Sequence, residues 1–164
     1  MKRTLLAGAL AVVALATTAC GFTPLYATPG VSPGLAAIET VAADGRAGFL
    51  LREQLDDALA RDAGVSPAYR LTFSVQEHRY ARGVRVDNIA NRYELLMKVK
   101  WRLGDAKTGA EIRKGETEAT VTYDSADQPY AAVIAQQDGQ ERAAAEVARK
   151  IQLDLAAWLA GKKA

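Results

Sequence analysis

The chain has 164 residues, with 21 basic and 19 acidic side chains, one histidine and a formal charge of +2. Apolar residues make up 49% and charged residues 24%, which is globular composition and not that of a disordered or fibrous chain. All 19 acidic residues lie beyond residue 19, where basic ones merely equal them in number, and that balance excludes the large basic excess of a nucleic-acid binder.

Met1-Lys2-Arg3-Thr4 is a basic start, Leu5 to Ala16 an apolar run, and Thr17-Thr18-Ala19 a zone of small residues. That order is a secretory signal peptide. Its apolar run is shorter than the ~18 residues a membrane-spanning helix needs. Residues 1–19 are therefore expected to be removed, leaving one domain's length of chain. Cys20 is the only cysteine, and a lone cysteine makes no internal disulfide. Thr17-Thr18-Ala19-Cys20 resembles the lipobox of bacterial lipoproteins, with Thr17 where leucine is usual. The expected modification is a lipid on the Cys20 sulfur, with palmitate among the acyl chains and no other cofactor. The alternative is an ordinary signal peptide that leaves Cys20 as a free thiol, a reactive group in an oxidising compartment. On both readings the mature protein leaves the cytoplasm.

Gly21 to Leu35 holds Pro24, Pro29, Pro33, Gly30 and Gly34, a composition that opposes regular structure. Residues 20–35 are expected to form a lipidated tether, with Phe22, Leu25 and Tyr26 large enough to pack against something. Ala36 to Ala42 is a short strand candidate. Asp44 is a good N-cap type for a helix from Arg46 to Arg61, in which Leu51, Leu55 and Leu59 make one apolar face. Arg61 and Gly64 suit its C-terminus.

Tyr69, Leu71, Phe73 and Val75 alternate with polar residues, the period of a strand with one wet face. Tyr93, Leu95, Met97, Val99, Trp101 and Leu103 do the same over residues 92–103. Thr117, Ala119, Val121 and Tyr123 close a third alternation within Glu111 to Tyr123. The turn Gly104 to Gly109 joins the last two strands as an antiparallel hairpin. Folding symmetrically about Lys107 would set Lys98 opposite Glu116 and Leu96 opposite Glu118. From Tyr130 to Leu159 the period becomes helical, with Ala144, Val147, Ala148, Ile151, Leu155 and Trp158 on one stripe and Gly139 as a weak point. Gly161, Lys162 and Lys163 end it. The predicted fold is α+β: a four-stranded, mostly antiparallel sheet with two helices on one face, over residues 36–161.

No catalytic constellation is present: there is no serine elbow, no paired cysteines and no phosphate loop. His78 follows an apolar strand without an acidic or cysteine cluster at ligand spacing, so no metal site is expected, and it reads as a surface histidine. Asp56-Asp57 reads as a solvated helix face. The chain is therefore not expected to be an enzyme. Its most distinctive segment runs from His78 to Arg92 and carries Arg79, Arg82, Arg85 and Arg92 with Asp87 as its only acid. Arginine forms forked hydrogen bonds to phosphate and carboxylate, so an anionic ligand is expected at this loop. Lys98, Lys100 and Arg102 continue the basic line onto the next strand, where the competing expectation is a solvated sheet face balanced by Glu94, Glu116 and Glu118.

Cys20-Gly21-Phe22-Thr23-Pro24-Leu25-Tyr26 resembles the mature start of the LptE family of outer-membrane lipopolysaccharide-assembly lipoproteins. Asn91-Arg92-Tyr93-Glu94-Leu95 with the Asp-x-x-Thr-Gly turn, and the stretch from Tyr123 to Leu159, resemble its alphaproteobacterial branch. The resemblance implies a non-enzymatic plug and assembly partner of the LptD β-barrel. It also implies binding of lipopolysaccharide through basic residues, and an outer-membrane location facing the periplasm and the barrel lumen. Gly21 after the cysteine is compatible with that sorting. Arg79, Arg82, Arg85, Arg92, Lys98 and Lys100 are the binding candidates, chosen by charge clustering and not by motif. The competing expectation is a free-standing anchored module that binds an anionic glycolipid or cell-wall fragment.

Overall fold

The structure is a computed structural model that describes residues 25–84, 90–125 and 128–162. The signal peptide, Cys20, Gly21, Phe22, Pro24 and Arg85 lie outside the described residues. A short 3-10 turn, Leu25–Ala27, leads to α1 (Val31–Ala36), β1 (Ile38–Val41), α2 (Gly45–Ala58), β2 (Tyr69–Val84), β3 (Ala90–Asp105), β4 (Glu111–Asp124) and α3 (Pro129–Gly161). The sheet order is β1-β2-β3-β4. β1 runs parallel to β2, and the other pairs are antiparallel. The expected α+β architecture is present, with α1 as an added element.

The proline- and glycine-rich segment is more ordered than its composition predicts. Val31 and Leu35 of α1 are buried, and Leu25 packs against the same core. Pro33 is tolerated because it sits in the first turn, where backbone N–H groups have no intrahelical acceptor. α2 buries Leu51, Leu55 and Leu59 as its spacing predicts. It stops at Ala58, short of the expected Arg61. Ala60 turns left-handed (φ 50°), and the N–H groups of Ala60 and Arg61 donate back to the carbonyls of Asp57 and Asp56. That is a Schellman end with alanine where glycine is usual. Arg61 then donates to the carbonyl of Ala36 at 3.0 Å. Asp44 occupies the N-cap position of α2 without a side-chain capping bond.

β2 continues nine residues past the expected end at Val75. Its alternation persists, but Glu77 and Arg79 replace apolar residues on the helix-facing side. The β3–β4 register is two residues from the symmetric expectation: Lys98 faces Glu118 and Lys100 faces Glu116. The turn explains the shift. The Asp105 carboxylate accepts from the N–H of Lys107 (2.9 Å), the N–H of Thr108 (2.8 Å) and the Thr108 hydroxyl (3.0 Å). The Asp105 N–H donates to Ala110 O at 2.9 Å, so the bend centres after Lys107. A shift of two keeps every side chain on its own face.

α3 lies on the sheet through Ala143, Ala144, Val147, Ala148, Ile151, Leu155 and Ala156, all buried. Gly139 is no weak point but a contact. A Cβ there would stand 2.9 Å from the ring of Tyr123, which stacks on Tyr93 at 5.7 Å. Trp101 fills the same role across the sheet: its indole covers Gly115 and its Nε1 donates to Thr117 Oγ1 at 3.1 Å.

Alanine normally stabilises a helix by about 1 kcal/mol over glycine. At position 139 the methyl meets a ring held from its other side, and overpacking of this kind costs about 1–3 kcal/mol. Gly139→Ala is therefore expected to lower stability in urea unfolding, and the loss should shrink in a Tyr123→Leu background. A stabilised single variant would contradict the contact.

Candidate functional site

A sheet covered on one face has one wall of core and one of solvent, and the strand period assigns every candidate to one of them. Arg79 falls on the helix side. It donates to Gln136 Oε1 of α3 at 2.7 Å and its guanidinium sits 4.8 Å above the Tyr93 ring. It is a strut between sheet and helix. Beside it Gln140 Nε2 donates to Glu77 Oε2 at 3.0 Å.

Arg82 lies on the open face, half-exposed, paired with Glu94 at 2.7 Å and 5.6 Å from the Tyr80 ring centre. Arg92 pairs with Asp124 at 2.8 Å. The hydrogen bonds to Glu94 and Asp124 are the first cause raising each arginine's pKa, and the bond to Arg92 holds the Asp124 carboxyl below the ordinary range. The expected single arginine loop is thus resolved into three separate roles: Arg79 inward, and Arg82 and Arg92 each closed on its own carboxylate. Arg85 falls outside the described residues. His78 is exposed, its ring 6.4 Å from Tyr80. Among the described residues no group of His, Cys, Asp or Glu is placed to hold a metal, and no helix is long and apolar enough to cross a membrane.

Lys98 pairs loosely with Glu118 at 3.7 Å. Lys100 is exposed and has no ion-pair partner among the described residues. Lys100 also borders a shallow groove of about 650 Å³ on the open face, lined by Thr72, Ser74, Arg102, Lys114 and Glu116 among others. Arg102 belongs to the basic line expected on β3, whereas Lys114 is not among the sequence candidates. Lys114 joins that line only through strand pairing, which sets it opposite Arg102, and a linear search for charge runs does not see it.

The family model LptE, described as lipopolysaccharide-assembly, matches residues 35–155. The chain belongs to this family. A crystal structure of a candidate lipoprotein from Caulobacter crescentus CB15 is 72% identical, with a TM-score of 0.73, covering 82% of this chain and 98% of that one. A minor lipoprotein from Acinetobacter baumannii shares the fold at 15% identity and a TM-score of 0.51, covering 73% and 90% of the two chains. No curated protein sequence matches significantly. Membership in the LptE family makes the chain a lipoprotein of the lipopolysaccharide-assembly class.

Three carboxyls are held below their ordinary values. Asp105 is lowered first by the Thr108 N–H, Asp124 by Arg92 and Glu146 by Arg149. A carboxyl depressed in the folded state binds its proton more readily in the unfolded chain. The stability it contributes is therefore complete above the unfolded value, about 4, and is lost as pH falls through the folded value. The melting temperature should hold from pH 7 to about 5 and drop below 4. Asp105→Asn should melt lower at pH 7 and show a shallower acid drop. An unchanged melting curve at pH 3 would contradict these assignments.

Proposed function

We propose that this protein is an outer-membrane lipoprotein subunit of the lipopolysaccharide translocon. In this reading it plugs an LptD-like β-barrel, assists its assembly and contacts lipopolysaccharide during insertion into the outer leaflet. The observation that carries the reading is the family match across residues 35–155, which spans all four strands and most of α3. The lumen of a large barrel is polar and wet. A domain with one open polar sheet face suits such a lumen without exposing its core. Of the open-face cations, Lys98 and Lys100 are proposed to face anionic ligand, and Arg82 and Arg92, each closed on its own carboxylate, to face the barrel wall. Arg79 leaves that list because it faces α3.

The protein is proposed to be held by lipid on Cys20. Several acyl chains would anchor it stably, whereas one chain binds only marginally. Mass spectrometry of the mature N-terminus should find Cys20 as the first residue, carrying diacylglycerol and an amide-linked acyl chain. An unmodified Cys20 thiol would remove the anchor.

Tagged full-length protein extracted gently from outer membranes should bring a large β-barrel with it. Depletion should reduce surface lipopolysaccharide together with correctly assembled barrel. Recovery only as a free monomer, with an intact barrel after depletion, would favour the free-standing module instead.

A further inference from the structure

The groove on the open face differs in kind from the arginine pairs at the far end of the hairpin. Three strands build it in register: Thr72, Arg102 and Lys114 form one row, and Ser74, Lys100 and Glu116 the next. Arg82 and Arg92 are each closed on a carboxylate within hydrogen-bonding distance, at 2.7 and 2.8 Å. In the groove, Arg102 and Lys114 share one carboxylate. Glu111 stands 3.8 Å from Arg102 and 3.2 Å from Lys114. The first distance is too long for a hydrogen bond, so the Arg102 fork is open to a doubly hydrogen-bonded anion. With Lys100, three cations face Glu111 and Glu116, and the excess positive charge of the open face is least neutralised here. The Thr72 hydroxyl, held only by a 3.4 Å bond to Arg102 O, and that of Ser74 line the same space.

We propose that this groove binds a phosphate carried on a sugar. Arg102 and Lys114 take the phosphate oxygens, and Lys100 adds charge. Thr72, Ser74 and Glu116 meet sugar hydroxyls. Glu116 decides between a sugar phosphate and a bare one: a carboxylate repels inorganic phosphate but accepts hydrogen bonds from hydroxyl groups. The volume, about 650 Å³, falls within the range of small-molecule sites. The ligand class rests on the glycolipid reading above; the position of the groove does not. Sugar-borne phosphate has two sources, a glycolipid headgroup and a free sugar phosphate.

The test uses full-length protein in detergent, titrated with purified lipopolysaccharide and, separately, with glucosamine 1-phosphate. Lys100→Gln with Lys114→Gln should weaken binding at least about tenfold, since charge-assisted bonds to phosphate are lost. Arg82→Gln with Arg92→Gln should change it less than about twofold, because those forks are already occupied. Thermal melting checks that both double variants fold. An effect on lipopolysaccharide alone identifies the glycolipid as the source, and an effect on both ligands shows that the sugar phosphate suffices. Unchanged affinity in the lysine variant, or an equal loss in the arginine variant, overturns the groove. If the native protein binds neither ligand, the groove falls. Barrel co-purification by the native protein separates that failure from failure of the translocon reading: it persists if only the groove is wrong and is absent if the reading is wrong too.

Discussion

The pairing of β2 with β3 fixes the side of the sheet on which every functional group lies. Fifteen residue pairs run from Tyr69–Asp105 to Val84–Ala90, and helices cover only one face. A slip of one residue would carry Leu95, Met97, Val99 and Trp101 into water and drive Lys98 and Lys100 under α3. Burial of those side chains opposes the slip, because each large apolar side chain contributes about 1.5–3 kcal/mol. Trp101 reinforces the register at one point, since its ring fits only over a residue without a side chain, and Gly115 is its partner. The irregularities near Ala81 and Gly83 come beyond Leu95, the buried residue of β3 nearest that end, where slippage exposes little.

The layer between sheet and helices changes character along its length. Near the turn end it is mainly apolar, with Leu71, Leu103, Ile151 and Leu155 each sealed from solvent. Toward the far end Glu77, Arg79, Gln136 and Gln140 take over, joined by hydrogen bonds. Apolar contact needs no fixed partner, but a hydrogen-bonded side chain does, so this half is held by specific geometry. Arg79 is committed to that geometry, and Arg82 and Arg92 are committed to Glu94 and Asp124. These charged groups thus brace the stretch of hairpin beyond the reach of β1. Arg79, Arg82 and Arg92, neighbours in one dimension, are held in three by separate partners.

What the sequence made legible follows from which signals are local. The β3 alternation from Tyr93 to Leu103 and the α3 stripe from Ala144 to Leu155 depend only on period, and both are present. The α2 face of Leu51, Leu55 and Leu59 is present for the same reason. Three features depend on distant parts of the chain and were not legible. α1 forms because Val31 and Leu35 find a hydrophobic core supplied by other elements, which overrides the local cost of Pro33 and Gly34. β2 runs past Val75 because β3 offers it a partner, although its own apolar signal has ended. The groove joins residues from positions 72 to 116 that are adjacent only after three strands pair.

Geometry also sets what an anchor on Cys20 would impose. Leu25 and α1 sit against the C-terminal end of α3, where Gly34 meets Leu159 and Lys162 bonds to the Tyr69 hydroxyl at 3.1 Å. Leu25 is five Cα steps from Cys20, a reach of at most roughly 17 Å. Strand β2 begins at that end and runs 16 residues away from it, roughly 50 Å at the usual rise. The groove lies at 72 to 74, within the first third of that distance, and Arg82 lies near its limit. A lipid-held domain would keep the groove close to the headgroups of its own leaflet and carry the arginine pairs far from them. Cationic side chains near a membrane surface meet anionic headgroups at high local concentration. With such an anchor the loosely held cations of the groove would stand near those headgroups, and the closed pairs Arg82–Glu94 and Arg92–Asp124 would stand far from them.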